Sequence, residues 1–404
     1  MEEGYSKIES KYYNLQELIE LRHWFHQNPE LSLVEHNTMA KIKEVAANFG
    51  VPESSFKVCG KTGWQIDISG KGPATGTARL IGVRSDHDAL PINENNPHLA
   101  YSSSKSGVAH MCGHDGHTTS LLGGLALVMG NLDKIPSDRT VRFIFQPAEE
   151  GFGGAELMIG DGVLNGMAEI YGCHNMPRSD LPYKMLVADR EMMSNMQVVE
   201  IKIFGVGGHG SAPEKCNNPI PIAARAYLEI LEKLTEYQKN VSGSVRFSLC
   251  SFNGGHAFNV IPTTVEITGT LRDFDPKDEA AMNATIRTVL ESICKETNST
   301  FEYKCKKSSR GPVVNIPELA QHVRSVGQKL FGTGQISNAG CPVYASEDFA
   351  DFMDIVPGCL FFMVGHNLPA GYTLHSDRFD FDDNIIDDLA KFWFRLIESR
   401  LNAD

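Results

Sequence analysis

Read for hydrophobic period, the chain changes character twice. Apolar positions recur at helical spacing through LQELIELRHWF from Leu15 and through TMAKIKEVAANFG, which stops at Gly50 as a helix C-terminus favours. Short apolar runs then alternate with helical stretches. GWQIDIS, ARLIGVRSD, VRFIFQPAE and AEIYGCH read as strands, His117 to Gly130 and Ala155 to Ile159 as helices. Such alternation predicts an α/β layer structure with a largely parallel central sheet flanked by helices. From Gln197 the order becomes strand VVEIKIF, helix PIAARAYLEILEKLTEY, strands VRFSLCSF and TTVEITGTLRDF, helix DEAAMNATIRTVLESICKET and strand TFEYKCK. That is βαββαβ, the order of a smaller ferredoxin-like α+β domain. The α/β pattern resumes with a helix from Glu318 to Phe331, a strand CLFFMVG and a helix from Asn384 to Leu401. The expected organisation is one α/β domain in two segments, 1–191 and 308–404, interrupted by an α+β domain at 192–307.

Composition narrows the partners. With 37 Lys+Arg against 50 Asp+Glu the net charge is −13, which argues against binding a nucleic-acid backbone. The start MEEGYSKIESKYYN lacks a basic segment followed by an apolar one, so no secretory signal is expected. No apolar run approaches the ~20 residues of a membrane span. Nine cysteines without a CxxC pair suit a reducing compartment, so a cytoplasmic location is expected. Cys59, Cys216, Cys250, Cys294, Cys305, Cys341 and Cys359 are expected to be mostly buried free thiols.

Candidate chemistry gathers at strand ends. Asp86 and Asp88 close ARLIGVRSD, Glu149 and Glu150 close VRFIFQPAE, and His174 closes AEIYGCH. The crevice beyond the carboxyl ends of strands is where open α/β sheets bind ligands. Cys112 and His114 stand two apart, with Asp115 and His117, just before a helix; a metal or a helix N-terminus favours the thiolate. Adjacent glutamates in a strand face opposite ways, so if one is a ligand the other reaches the site from a bend, as a general base could. With His375 in TLHSDRFDFDD, the set offers a thiolate, imidazoles and a carboxylate for a borderline-soft divalent metal such as zinc. Taken singly each has a plainer role: core filler for Cys112, a solvated loop for the glutamates, a hydrogen-bonded structural histidine for His174 and His375. GVGGHG, Gly205 to Gly210, fits a dinucleotide fingerprint literally, but Ser211, Pro213 and Pro219 delay the helix that must meet the pyrophosphate.

Ten ordered stretches carry a resemblance over nearly the whole chain: RHWFHQNPELSLVE, VRSDHDALPINE, AHMCGHDGHTT, FQPAEEGFGGAELMIGDGVL, GCHNMP, GVGGHGSAP, GGHAFNVIP, GTLRDF, SEDFADF and LHSDRFDFDD. With them the chain resembles the di-metal amidohydrolases that include hippurate hydrolase, N-acyl-amino-acid aminoacylases and the plant indole-acetyl-amino-acid hydrolases. The resemblance implies Cys112, His114, Glu150, His174 and His375 as ligands of two divalent metals, zinc first and manganese, cobalt or nickel as alternatives. It implies Glu149 as general base and Asp88 as an acid that orients a ligand. It implies His209, from this chain or a partner subunit, to polarise the scissile carbonyl, and Asn259 and Arg272 to hold the substrate carboxylate. The implied activity is hydrolysis of N-acyl amino acids, with a dipeptidase or carboxypeptidase as the alternative and a non-catalytic binding protein behind both. The implied partners are that small substrate and a second copy joined through the inserted domain, with no nucleic acid and no membrane. The chain departs from the usual pattern at Glu214 and Asn218, where a histidine and an aspartate are common, at His87, where a methionine is, and at Asp377 and Arg378.

Overall fold

Helix α1 (Leu15–Gln27) begins where Asn14 caps it, its side chain accepting from Gln16 N and Glu17 N, and α2 (His36–Asn48) follows. The computed structural model describes residues 8–151, 153–241, 244–307, 311–368 and 372–403. The N-terminal start read for a signal lies partly outside these, and so does the segment 308–310 at the expected second boundary.

By contacts the chain divides into two units, Met1–Met192 with Val314–Cys341 and Asp348–Asp404, and Met193–Val313 with Pro342–Glu347. The segment Pro342–Glu347 falls in the second unit because Ser194 N donates to the carbonyls of Val343 and Ala345, at 3.1 and 2.9 Å.

In the first unit β1 (Phe56–Cys59), β2 (Gly63–Ser69) and β3 (Arg79–Asp86) precede α3 (His114–Met129), β4 (Arg139–Gln146), α4 (Gly154–Gly160), β5 (Glu169–Pro177) and β6 (Met185–Leu186). β7 (Glu191–Met193) comes where the chain passes to the second unit.

That unit holds β8 (Asn195–Phe204), β9 (Gly208–His209), α5 (Pro219–Asn240), β10 (Arg246–Asn253), β11 (Val260–Ile261), β12 (Thr264–Asp273), α6 (Pro276–Glu296) and β13 (Thr300–Lys307). After β14 (Val313–Val314) come α7 (Pro317–Phe331), β15 (Ile336–Ser337), α8 (Phe349–Met353), β16 (Gly358–Gly365) and α9 (Asn384–Leu401).

The first unit's sheet runs β1-β2-β4-β3-β5-β16-β6-β15. Its centre, β4-β3-β5-β16, is parallel, while β2 and β6 flank it antiparallel and β1 pairs antiparallel with β2. Central strands read as continuous apolar runs because both faces are covered, and β16 is buried along its whole length. The second unit's sheet is antiparallel in the order β10-β12-β8-β13, the split βαβ topology. Val199, Ile201, Ile203, Val265 and Ile267 form its buried core with Ile222 and Ile230 of α5 and Ile286 and Val289 of α6.

Three local expectations need correction. Helix α3 starts at His114, not His117, because Gly113 takes a left-handed φ of 98° and its carbonyl accepts from Gly116 N and His117 N. Strand β5 runs on through His174 to Pro177, since pairing with β16 continues past the expected end. Of the seven cysteines expected to be mostly buried, Cys59, Cys294 and Cys359 are; Cys216 and Cys341 are half-buried and Cys250 and Cys305 exposed.

Candidate metal centre

The sheet of the first unit opens where the candidate residues lie. The ladder between β3 and β5 ends at the pair Arg84 and Gly172, although β3 stays paired with β4 as far as Asp86 and Gln146. Asp86 and His174 therefore stand just past the last rung β3 and β5 share. Helix α3 starts at the same gap, with Cys112 and His114 on either side of its N-cap, Gly113. A β-carbon on Gly113 would lie 2.4 Å from Asn175 Oδ1, so glycine is required there for space as well as for φ.

The glutamates arrive by a bend. After Gln146 and Pro147 the backbone of Ala148 turns left-handed, φ 56°, and the alternation of a strand ends. Glu149 Oε2 and Glu150 Oε1 then lie 4.0 and 3.9 Å from the same atom, His114 Nε2. Asp88 holds the turn by accepting Glu149 N on Oδ1 and Glu150 N on Oδ2, both at 3.1 Å. His375 has φ 64°, donates its N–H to Met111 O at 2.7 Å, and places Nε2 3.3 Å from Glu150 Oε1.

The donor atoms form overlapping groups, each within 4.8 Å: Cys112, His114 and His174; Cys112, Glu150 and His375; His114, Glu149 and Glu150. Cys112 belongs to the first two and can be shared between them. The imidazoles are aimed for coordination. His114 Nδ1 lies 2.9 Å from the Asp88 carbonyl and His174 Nδ1 2.7 Å from the Asn175 carbonyl; a carbonyl only accepts, so Nδ1 carries a proton in both and Nε2 is the nitrogen left to face a metal. His114 Nε2 is buried and has no hydrogen-bond partner among the described residues.

The electrostatics ask for a cation. Burial, then the Glu150 and Glu149 carboxylates, push the Cys112 thiol well above its ordinary range. Burial resists a charge on His114, yet Asp86 and Asp88 raise it to about 10. Burial and the neighbouring His117 hold His174 well below its ordinary value, hence neutral. A divalent ion would favour the thiolate and satisfy the clustered carboxylates together, so the donor set fits the implied metals.

A buried network backs this arrangement, and the residue pattern did not disclose it. His117 Nδ1 lies 2.6 Å from Asp86 Oδ1, and its Nε2 lies 2.6 Å from Asn175 Oδ1 and 2.9 Å from Asn175 N. Arg84 bonds Asp86 at 2.7 Å, Gln146 at 2.7 Å and Asp348 at 3.2 Å. The available signal was the spacing of His114 and His117, which shares a helix face once α3 starts at 114.

In the second unit His209 and Asn259 come together. β9 pairs with β11 through His209 and Val260, Gly210 N donates to Asn259 O at 2.8 Å, and both His209 and Asn259 are exposed. His209 Nδ1 lies 2.7 Å from Ser211 Oγ. Arg272 is half-buried on β12, its guanidinium donating to Thr270 Oγ1 at 2.9 Å and Met196 Sδ at 3.3 Å, and burial lowers its pKa below the ordinary value. Asn218 is the α5 N-cap, accepting from Ile220 N at 3.0 Å, a task that asparagine and aspartate share. Glu214 is exposed.

Comparison with known proteins bears on the family and the fold. The sequence profile of the peptidase family M20/M25/M40 matches residues 82–399. A hippurate hydrolase of Campylobacter jejuni is 33% identical over 383 residues, covering 94% of this chain and 95% of that protein. Thermostable carboxypeptidase 1 of Saccharolobus solfataricus is 32% identical over 374 residues, covering 91% of each. Among solved structures, a Bacillus subtilis protein described as a dinuclear metal-binding peptidase of the M20 family superposes with a TM-score of 0.80 at 28% identity, covering 96% of this chain and 99% of that one.

Proposed function

From the premise that this chain belongs to the peptidase family M20/M25/M40 and is a metal-dependent hydrolase of amide or peptide bonds, we propose that it cleaves N-acyl amino acids. The observation that carries the reading is the pair of donor groups sharing Cys112, with Glu149 beside them. We assign Cys112, His114 and His174 to one divalent metal and Cys112, Glu150 and His375 to a second, with zinc the first choice for this donor set. Bound metals would supply a Lewis acid and lower the pKa of a water to about 7. Glu149 takes the proton of the attacking water and returns it to the leaving amine. Asp88 keeps His114 and the glutamate turn in place. His209 donates to the developing oxyanion, and Asn259 and Arg272 hold the substrate carboxylate, for which the arginine fork is suited.

The test couples binding to turnover. Metal-free protein titrated with zinc, manganese, cobalt or nickel should bind two ions per chain. The loaded protein should hydrolyse N-acyl amino acids faster than the matching dipeptides with a free α-amine. A reversed preference would make it a dipeptidase or carboxypeptidase, as the name of the Saccharolobus relative suggests for that protein. Failure to bind any divalent metal stoichiometrically would leave a binding protein. The nine free cysteines support a reducing, cytoplasmic setting. No helix among the described residues is long and apolar enough to cross a membrane.

A further inference from the structure

The stretch RHWFHQNPELSLVE supplies none of the donors, yet its last residue lies beside them. Glu35 is fully buried, and its carboxylate divides between two partners: Oε1 accepts Ala148 N at 3.0 Å and Oε2 accepts Thr62 Oγ1 at 2.6 Å. Ser32 of the same stretch donates to Asp88 Oδ2 at 2.6 Å. The amides of Ala148, Glu149 and Glu150 are thus each held by a carboxylate oxygen, the first by Glu35 and the next two by Asp88. The Ala148 carbonyl is held as well, by Gly154 N at 3.1 Å, where a β-carbon on Gly154 would lie 1.7 Å from Pro147 O.

This clamp has something to oppose. Ala148 is one of a few described non-glycine residues with a positive φ, a backbone that its β-carbon disfavours. Nothing in the amino acid itself keeps it there. If Ala148 relaxed to an extended backbone, the strand's alternation would continue and the two glutamates would face opposite sides.

We propose that Glu35 is a positioning residue that holds the Ala148 peptide left-handed, so that Glu149 and Glu150 face one centre as base and ligand. The proposal rests on the roles given to those glutamates above. Glutamine keeps an acceptor oxygen for Ala148 N and can pair with Thr62 through its amide, so Glu35→Gln should preserve the clamp. Alanine removes it. Glycine at 148 adopts positive φ freely and should reduce the need for it.

The experiment compares Glu35→Gln, Glu35→Ala, Ala148→Gly and the double variant Glu35→Ala with Ala148→Gly. Cobalt titration of metal-free protein, followed by thiolate-to-cobalt absorption, is set beside kcat and KM on an N-acyl amino acid. For Glu35→Ala we expect one of the two ions to bind about 10-fold more weakly and kcat at saturating metal to fall about 10- to 100-fold, with KM little changed, as for a misplaced reacting group. Glu35→Gln should match the parent, and the double variant should recover part of both losses. Unchanged metal binding and kcat in Glu35→Ala would overturn the proposal. So would a Glu35→Gln variant as impaired as Glu35→Ala with no recovery from Ala148→Gly, which is the behaviour of a merely structural acid. Should Glu35→Ala fail to fold, Glu35→Asp, one methylene short of Ala148, carries the same expectations. The titration needs no substrate: if the parent binds cobalt but cleaves nothing, the proposed activity fails while metal binding still decides the role of Glu35.

Discussion

Glu149 and Glu150 are neighbours in sequence with different expected losses. Both carboxylates come within 4.0 Å of His114 Nε2, and Glu150 also approaches His375, at 3.3 Å. Glu149→Ala should therefore lower turnover by about 10²- to 10⁴-fold, the range of a general base, with metal content unchanged. Glu150→Ala should lose an ion as well as turnover. Metal analysis beside steady-state kinetics separates the two, and a Glu149→Ala variant that stays active would remove it as the base. The two glutamates, Cys112 and the histidines were legible because each stands in a distinctive local run. What their order left unsaid was how adjacent side chains reach one point, since a left-handed Ala148 depends on Glu35 and Asp88, which lie far away in the chain.

At the scale of elements, long periodic helices and central strands follow from the hydrophobic pattern, while edges and ends do not. The short strands β1, β6 and β15 carry no period to read, and the start of α3 is polar where it faces the donor groups. Gly113 fixes that start, and Gly113→Ala should cost stability and metal together through its clash with Asn175; a variant with parental metal affinity would count against this. A second element-scale prediction lies in the second unit, where the end of β12 meets the start of β8. Asp273 is buried, its Oδ2 accepting from Asn195 at 3.3 Å and Gln197 at 3.1 Å. Burial first, then the Glu279 carboxylate, raise it to about 6. A carboxyl raised in the folded state favours folding most below its unfolded value near 4, and loses that contribution as pH rises through about 6. Asp273→Asn should accordingly be more stable than the parent at pH 8 and no more stable at pH 4. Thermal melts at the two pH values check this, and an equal effect at both would refute the titration.

For the whole molecule, the second unit's two sheet edges differ in a way that bears on assembly. β13 presents Lys304, Lys306 and Lys307 at its exposed positions, a charged edge of the kind that resists pairing with another chain. β10 presents FSLCSF, Phe247 to Phe252, without a charge. Beside it α5 exposes Leu228 at 63% and Leu231 at 37%, and Tyr227 packs edge-on against Phe252, which is itself 40% exposed. Past Arg246 at its start, the β10 edge carries no charge and is continuous with an apolar helix face, which is the surface a second copy would be expected to cover. A dimer formed through the inserted domain is predicted to use this surface. A stable contact needs on the order of 1,000 Å² or more, so it must draw on both β10 and α5. Phe252→Lys with Leu228→Glu introduces charge on each without touching a residue of the metal centre. The parent should sediment at twice the chain mass and the variant at the chain mass, with cobalt stoichiometry the same in both because the first unit alone holds the donors. A parent that is monomeric at every concentration, or a variant that stays dimeric, would remove this surface as the interface.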